Sequence, residues 1–124
     1  MPLTHGPDAR LRSRGEFTAV QQHGRRVAAR TLTLLALPNA LGHDRLGIVA
    51  SRRMGGAVAR NRAKRRIREV FRQRDQRARA SATDGRQALD LVVIARRESA
   101  TAPFAEVEKE LVNAIGRLRT TRVS

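Results

Sequence analysis

Apolar residues recur along the chain with changing periods, and the changes mark out its elements. Ser13 followed by Glu16 is a capping-box spacing, and Phe17 and Val20 then share a face, so the pattern predicts a helix that stops at Gly24, a C-terminal glycine position. Residues 1–10, with Pro2, Gly6 and Pro7, show no period and are expected to form a loose arm. A short strand is expected from Val27 to Arg30. Thr31 to Leu37 (TLTLLAL) and Arg45 to Ser51 (RLGIVAS) read as two further strands, divided by Pro38, Asn39 and a turn at Leu41 to Asp44. Their closeness in sequence predicts an antiparallel neighbouring pair.

Period then lengthens. Within Ala57 to Arg74, the residues Ala59, Ala63, Ile67, Val70 and Phe71 fall on one helical stripe fit to dock on a core. Asn61, Arg65, Arg68 and Arg72 lie on the opposite side, with Arg62, Lys64 and Arg66 on the flanks. Gly55 and Gly56 turn the chain into this helix; they lack the full pattern of a phosphate-binding loop and read as a simple turn. Asp75 to Gln87 is expected to be a fraying helix end followed by a loop, with a turn at Thr83 to Gly85. Asp90 to Arg97 (DLVVIARR) suits a central strand. Thr101 and Pro103 open a last helix, whose stripe is Phe104, Val107, Leu111, Ile115 and Leu118. Its early Glu106, Glu108 and Glu110 and late Arg117 and Arg119 match the helix dipole, and residues 119–124 are expected to form a loose tail. The sum is an α+β fold: a single domain over residues 1–124, a two-layer sandwich with about four strands and three helices.

Charge changes this picture from a fold to a binding surface. The chain has 26 basic and 11 acidic residues in 124, a net charge of +15 and a pI near 12.0. Between Arg52 and Arg79 lie 12 of those cations against two acids, Glu69 and Asp75, and all the cations but Lys64 are Arg. Such a field repels itself and calls for an anionic partner, with nucleic acid first and an anionic membrane surface second. Arg forks grip phosphate oxygens bidentately and stack on bases. The plainer alternative is a solvated face with some pairing, such as Arg65 with Glu69, but solvated faces normally mix signs.

Other chemistry is sparse. With no cysteine, neither a disulfide framework nor a thiolate metal site is available. Three aromatics, Phe17, Phe71 and Phe104, give few stacking platforms. There is no run of spanning length and no signal-peptide core, so the expected location is cytoplasmic, without membrane association. A protein nuclease would need carboxylates or histidines converging on metal or water, whereas His5, His23 and His43 sit in an arm, a helix end and a turn. No catalytic residue and no metal ligand is assigned. Strands on both sides of the basic helix speak against a helix-turn-helix protein; a ribosomal protein stays open on physical grounds.

Three stretches together resemble the bacterial ribonuclease P protein subunit over roughly Arg10 to Leu118: Glu16 to Gly24, Arg45 to Gly55 (RLGIVASRRMG), and Ala57 to Arg72 (AVARNRAKRRIREVFR), followed by DLVVIAR at Asp90 to Arg96. The third is similar to that family's RNR signature. The resemblance implies an accessory subunit of an endoribonuclease that removes the 5′ leader of precursor tRNA, with catalysis and Mg2+ residing in a large RNA subunit and no obligatory protein partner. It implies that Arg52, Arg53, Arg60, Asn61, Arg62, Lys64, Arg65 and Arg68 face ribonuclease P RNA. The exposed stripe adds Arg72. It places the precursor leader in a cleft lined by Phe17, Gln21 and Leu35. The chain departs from the family there: Gln21 stands where many members have a second aromatic, and Leu32 and Leu35 replace strand aromatics. The implied fold is like the second domain of ribosomal protein S5, with a left-handed βαβ crossover where general rules favour a right-handed one.

Overall fold

The first helix, α1 (Arg14–His23), opens on a complete capping box: the Glu16 N–H donates to Ser13 Oγ and the Ser13 N–H to Glu16 Oε1, both at 3.1 Å. The structure, a computed structural model, describes residues 10–11, 13–41, 43–81 and 88–120. Gly24 ends α1, though not through a left-handed turn. Its φ is −77°, and a Cβ there would lie 2.4 Å from the carbonyl oxygen of Val20 and 2.9 Å from that of Ala36. Close approach of the helix end to the sheet is what demands glycine.

Four strands follow the predicted runs: β1 (Arg25–Ala28), β2 (Leu32–Pro38), β3 (Arg45–Val49) and β4 (Leu89–Ala95). The expected pairing of the second and third runs is wrong. Strand order is β1-β2-β4-β3, with β4 between β2 and β3. It runs antiparallel to β2, from Leu32↔Ala95 to Pro38↔Leu89, and parallel to β3, from Arg45↔Asp90 to Val49↔Ile94. The apolar run of β4 needs cover on both faces and a partner on both sides, which only a central place supplies. The link from β2 to β3 grips the start of β4 at both ends. The Asn39 N–H donates to the carbonyl of Ala88 at 2.9 Å, and the Leu89 N–H to Asp44 Oδ1 at 2.9 Å.

A 3-10 turn (Arg52–Met54) leads from β3 into α2 (Ala57–Ser81), which continues beyond the expected fraying point after Arg74. Ala and Arg are strong helix formers, and the stretch QRARAS holds nothing that breaks a helix. The turn expected at Thr83 to Gly85 lies outside the described residues. Beyond β4 the chain makes a short helix not foreseen, α3 (Glu98–Thr101), before α4 (Phe104–Thr120). The helices thus number four among the described residues. Of the expected arm, residues 1–9 lie outside the described part, but Arg10 bridges to Leu46 and Leu11 is buried. Arg119 and Thr120 of the expected tail belong to α4; residues 121–124 are outside the description.

Strand alternation divides the sheet into two apolar faces. Leu32, Leu34, Leu91 and Val93 pack against Ala63, Ile67, Val70 and Phe71 of α2 and against Val107, Leu111 and Ile115 of α4. On the opposite face Leu35 and Val92 meet Leu11, Val20 and Phe17, so α1 covers part of the other side. The acids of α4 do more than match its dipole. Glu106 accepts from Arg30, and Glu110 Oε1 accepts from the Thr31 N–H at 2.9 Å and from Thr31 Oγ1 at 2.6 Å, clasping the β1–β2 turn.

Candidate nucleic-acid interface

Burial of Ala63, Ile67, Val70 and Phe71 fixes the rotation of α2 about its axis. That rotation leaves Asn61, Arg62, Arg65 and Arg68 exposed on the outer side. Arg52 and Arg53 are exposed on the 3-10 turn, which Gly55, at φ 149°, closes in a conformation that disfavours side chains. Arg60 and Lys64 are half-buried, and the Nε of Arg60 is buried without a hydrogen-bond partner. Among the described residues none of Arg52, Arg53, Arg62, Lys64, Arg65 and Arg68 makes an ion pair. The result is an uncompensated guanidinium surface on a rigid helix.

Among the described residues, three basic side chains of α2 are engaged within the molecule. Arg66 turns inward, its Nη1 donating to the carbonyls of Ala102 at 2.7 Å and Ser99 at 3.2 Å. Arg72, expected on the exposed stripe, is half-buried and paired with Glu69 at 2.6 Å, so Glu69 meets Arg72 and not Arg65, the pairing that the plainer solvated alternative offered. The Arg72 fork, with Gln73, holds the Glu69 carboxyl below its ordinary range. Arg74 reaches Asp44 at 3.4 Å.

The parallel pairing of β3 and β4 sets their carboxyl ends side by side, and a shallow concavity of about 430 Å³ opens there. It is lined by Ser51, Arg53, Met54, Arg96, Arg97 and Glu98. Arg96 and Arg97 are exposed and extend the basic surface beyond α2. Sequence reading passed over them as functional residues. The available signal was the doubled arginine after each strand, ASRR after β3 and ARR after β4, but it has meaning only once the two strands are parallel neighbours.

On the α1 face, the Phe17 ring lies against Gly47, where a Cβ would sit 2.5 Å from the ring's Cζ. Gln21 is exposed one turn further along α1. Leu35 lies below them in the smaller core, 4% exposed, so it supports this face more than it lines it. Leu32 points to the opposite side of the sheet and is wholly buried against α2 and α4. Arg45 ties this region together: Nε and Nη2 donate to Asp90 Oδ1 and Oδ2 at 2.9 and 2.8 Å, and Nη1 donates to Glu16 Oε2 at 3.0 Å. The bond to Asp90 is the main reason the Arg45 guanidinium holds its proton more tightly than usual.

Among the described residues no three of His, Asp or Glu gather as a metal site. Glu16, Asp44, Glu69, Asp90 and Glu110 are each engaged by Arg or Thr within the molecule. His23 is exposed at the end of α1, and the His43 carbonyl accepts from Asn39 Nδ2 at 3.3 Å. No helix of the described residues is long and apolar enough to cross a membrane.

Known proteins are similar to this chain in sequence and in fold. The chain is 36% identical over 109 residues to the ribonuclease P protein component of Syntrophus aciditrophicus, covering 88% of this chain and 86% of that one. The RNase P protein from Thermotoga maritima superposes with a TM-score of 0.71 at 29% identity, over 92% of this chain and 98% of that one. A Staphylococcus aureus RNase P protein, a mutant with defective mRNA degradation activity, gives a TM-score of 0.74 at 28% identity over 89% and 87%. The ribonuclease P family model matches residues 6–119, and the chain belongs to the ribonuclease P protein component family.

Proposed function

We propose that this chain is the protein subunit of a ribonuclease P ribonucleoprotein, binding the catalytic RNA and the 5′ leader of precursor tRNA. The observation that carries the reading is the row of exposed Arg62, Arg65 and Arg68 on α2, continued by Arg52 and Arg53, none of which is in an ion pair among the described residues. Guanidiniums held on a rigid helix neutralise phosphates without reorganising, and the counterions they release drive association. Arg60, Asn61 and Lys64 complete the RNA-facing set. Arg72 contributes less, because Glu69 already holds its fork.

Phe17 and Gln21 offer the leader one aromatic surface and one amide, with Leu35 beneath them. A single stacked base is worth about 1–3 kcal/mol, so a face with one aromatic holds the leader weakly. Cleavage of the phosphodiester belongs to the RNA, with Mg2+ bound there. The protein lowers the Mg2+ requirement by screening phosphate repulsion. Its work needs no second protein, and its place is the cytoplasm.

Reconstitution tests this reading. Added to a bacterial ribonuclease P RNA at low Mg2+, the chain is expected to restore 5′ maturation of precursor tRNA. No stimulation would overturn the proposal, as would cleavage by the RNA-free protein.

A further inference from the structure

Arg66 looks in sequence like one more phosphate contact, yet its guanidinium faces the protein. Its targets are the carbonyls of Ser99 within α3 and of Ala102, the residue that caps its C-terminus. That helix is one turn long, so its terminal carbonyls lack partners within it, and the buried Ser99 and Ala102 sit out of reach of solvent. A cation aimed at those oxygens makes charge-assisted bonds at the negative end of the turn. The same turn is tied to the end of β4, since the Ser99 N–H and Oγ both donate to the Arg96 carbonyl, at 2.9 and 2.6 Å, and the Ala100 N–H donates to that of Arg97. Arg66 therefore grips the elbow that carries Arg96 and Arg97, and it does so from the helix that carries Arg62, Arg65 and Arg68.

We propose that Arg66 is a positioning residue that braces α2 against the α3 elbow, so that the exposed arginines of α2 and Arg96 and Arg97 meet RNA as one rigid surface. This rests on the RNA-binding reading above. Two cationic groups on separate elements act together on one polyanion only when their spacing is fixed, because a loose pair must be ordered at the moment of binding.

The test measures binding of the full-length chain to a bacterial ribonuclease P RNA across a salt series, well below the thermal midpoint of every variant. Arg66→Met is expected to lower affinity roughly tenfold while leaving the slope of log K against log salt unchanged, since the phosphate contacts still form and only the cost of ordering the loosened elbow is added. Arg97→Ala is expected to cost several-fold in the parent and less in the Arg66→Met background, where removing Arg97 also removes part of that ordering cost, whereas Arg62→Ala combined with Arg97→Ala is additive. Arg66→Lys, which keeps one donor, is expected to recover part of the affinity. A slope lowered by about one unit would make Arg66 a phosphate contact and overturn the proposal. So would unchanged affinity, or additivity of Arg66→Met with Arg97→Ala. Arg65→Ala serves as the reference: if it too leaves RNA binding and slope untouched, the RNA-binding reading fails, and not the bracing alone.

Discussion

The Phe17 ring packs closely enough on the Gly47 backbone that no side chain fits between them; an added Cβ would stand 2.5 Å from Cζ and 2.6 Å from Cε1. Gly47 is central to β3, where glycine normally weakens a strand, so its place here is set by the approach of α1. Gly47→Ala should force the ring aside at a cost of about 1–3 kcal/mol, and Gly47→Val should cost more. Urea denaturation midpoints check this. An unshifted midpoint in both variants would mean that Phe17 swings away freely.

Arg45 and Asp90 are register partners on neighbouring parallel strands and join through two hydrogen bonds, with Glu16 on the remaining nitrogen. Arg45→Met leaves the Asp90 carboxylate, 8% exposed, with Asn39 but no countercharge. Loss of one partner of a buried pair typically costs about 3–5 kcal/mol. Thermal unfolding of Arg45→Met is expected to show a loss in that range, and Arg45→Met with Asp90→Asn should lose less than the sum of the single changes.

Glu110 gives the fold an acid-sensitive contact. Its carboxylate accepts from both the N–H and the hydroxyl of the fully buried Thr31, and these bonds, the hydroxyl first, hold it below its ordinary range. A carboxyl depressed on folding stabilises the fold above the unfolded value, about 4.3 for glutamate, and that contribution fades as pH falls through the lower folded value. Stability measured from pH 6 downwards should therefore decline in the acid limb more steeply for the parent than for Glu110→Gln. Glu110→Ala, which strands two donors, should lose about 1–3 kcal/mol at neutral pH.

Arg65 and Arg68 point outward without carboxylate partners among the described residues, whereas Arg72 is clamped by Glu69. Replacing Arg65 and Arg68 together by Ala should flatten the salt dependence of RNA binding by about two units of slope. Arg72→Ala should flatten it by clearly less than one unit. Equal effects per residue would show that the Arg72–Glu69 pair opens on binding.

Much of the fold could be read from local patterns because those patterns are themselves local physics. Ser13 and Glu16 are one turn apart, and their reciprocal bonds need nothing beyond that turn. The stripe from Ala59 to Phe71 states which side of α2 is buried, and thereby which side is cationic. Other features were hidden because they depend on residues far apart in sequence. The inward reach of Arg66 and the grip of Glu110 on Thr31 each join partners more than thirty positions apart.

Local residue patterns specify a basic helix with one buried stripe, four strand-forming runs and a charge imbalance that demands an anionic partner. Periodicity and net charge are properties of neighbouring residues and survive without knowledge of the fold. Tertiary structure alone decided that β4 enters between β2 and β3, and with it the basic concavity at the paired ends of β3 and β4. It also decided which arginines stay open to solvent and which are bound within the molecule. Strand order rests on competition among long-range pairings, and the direction of a guanidinium depends on which carboxylate or carbonyl folding brings within about 3 Å of it.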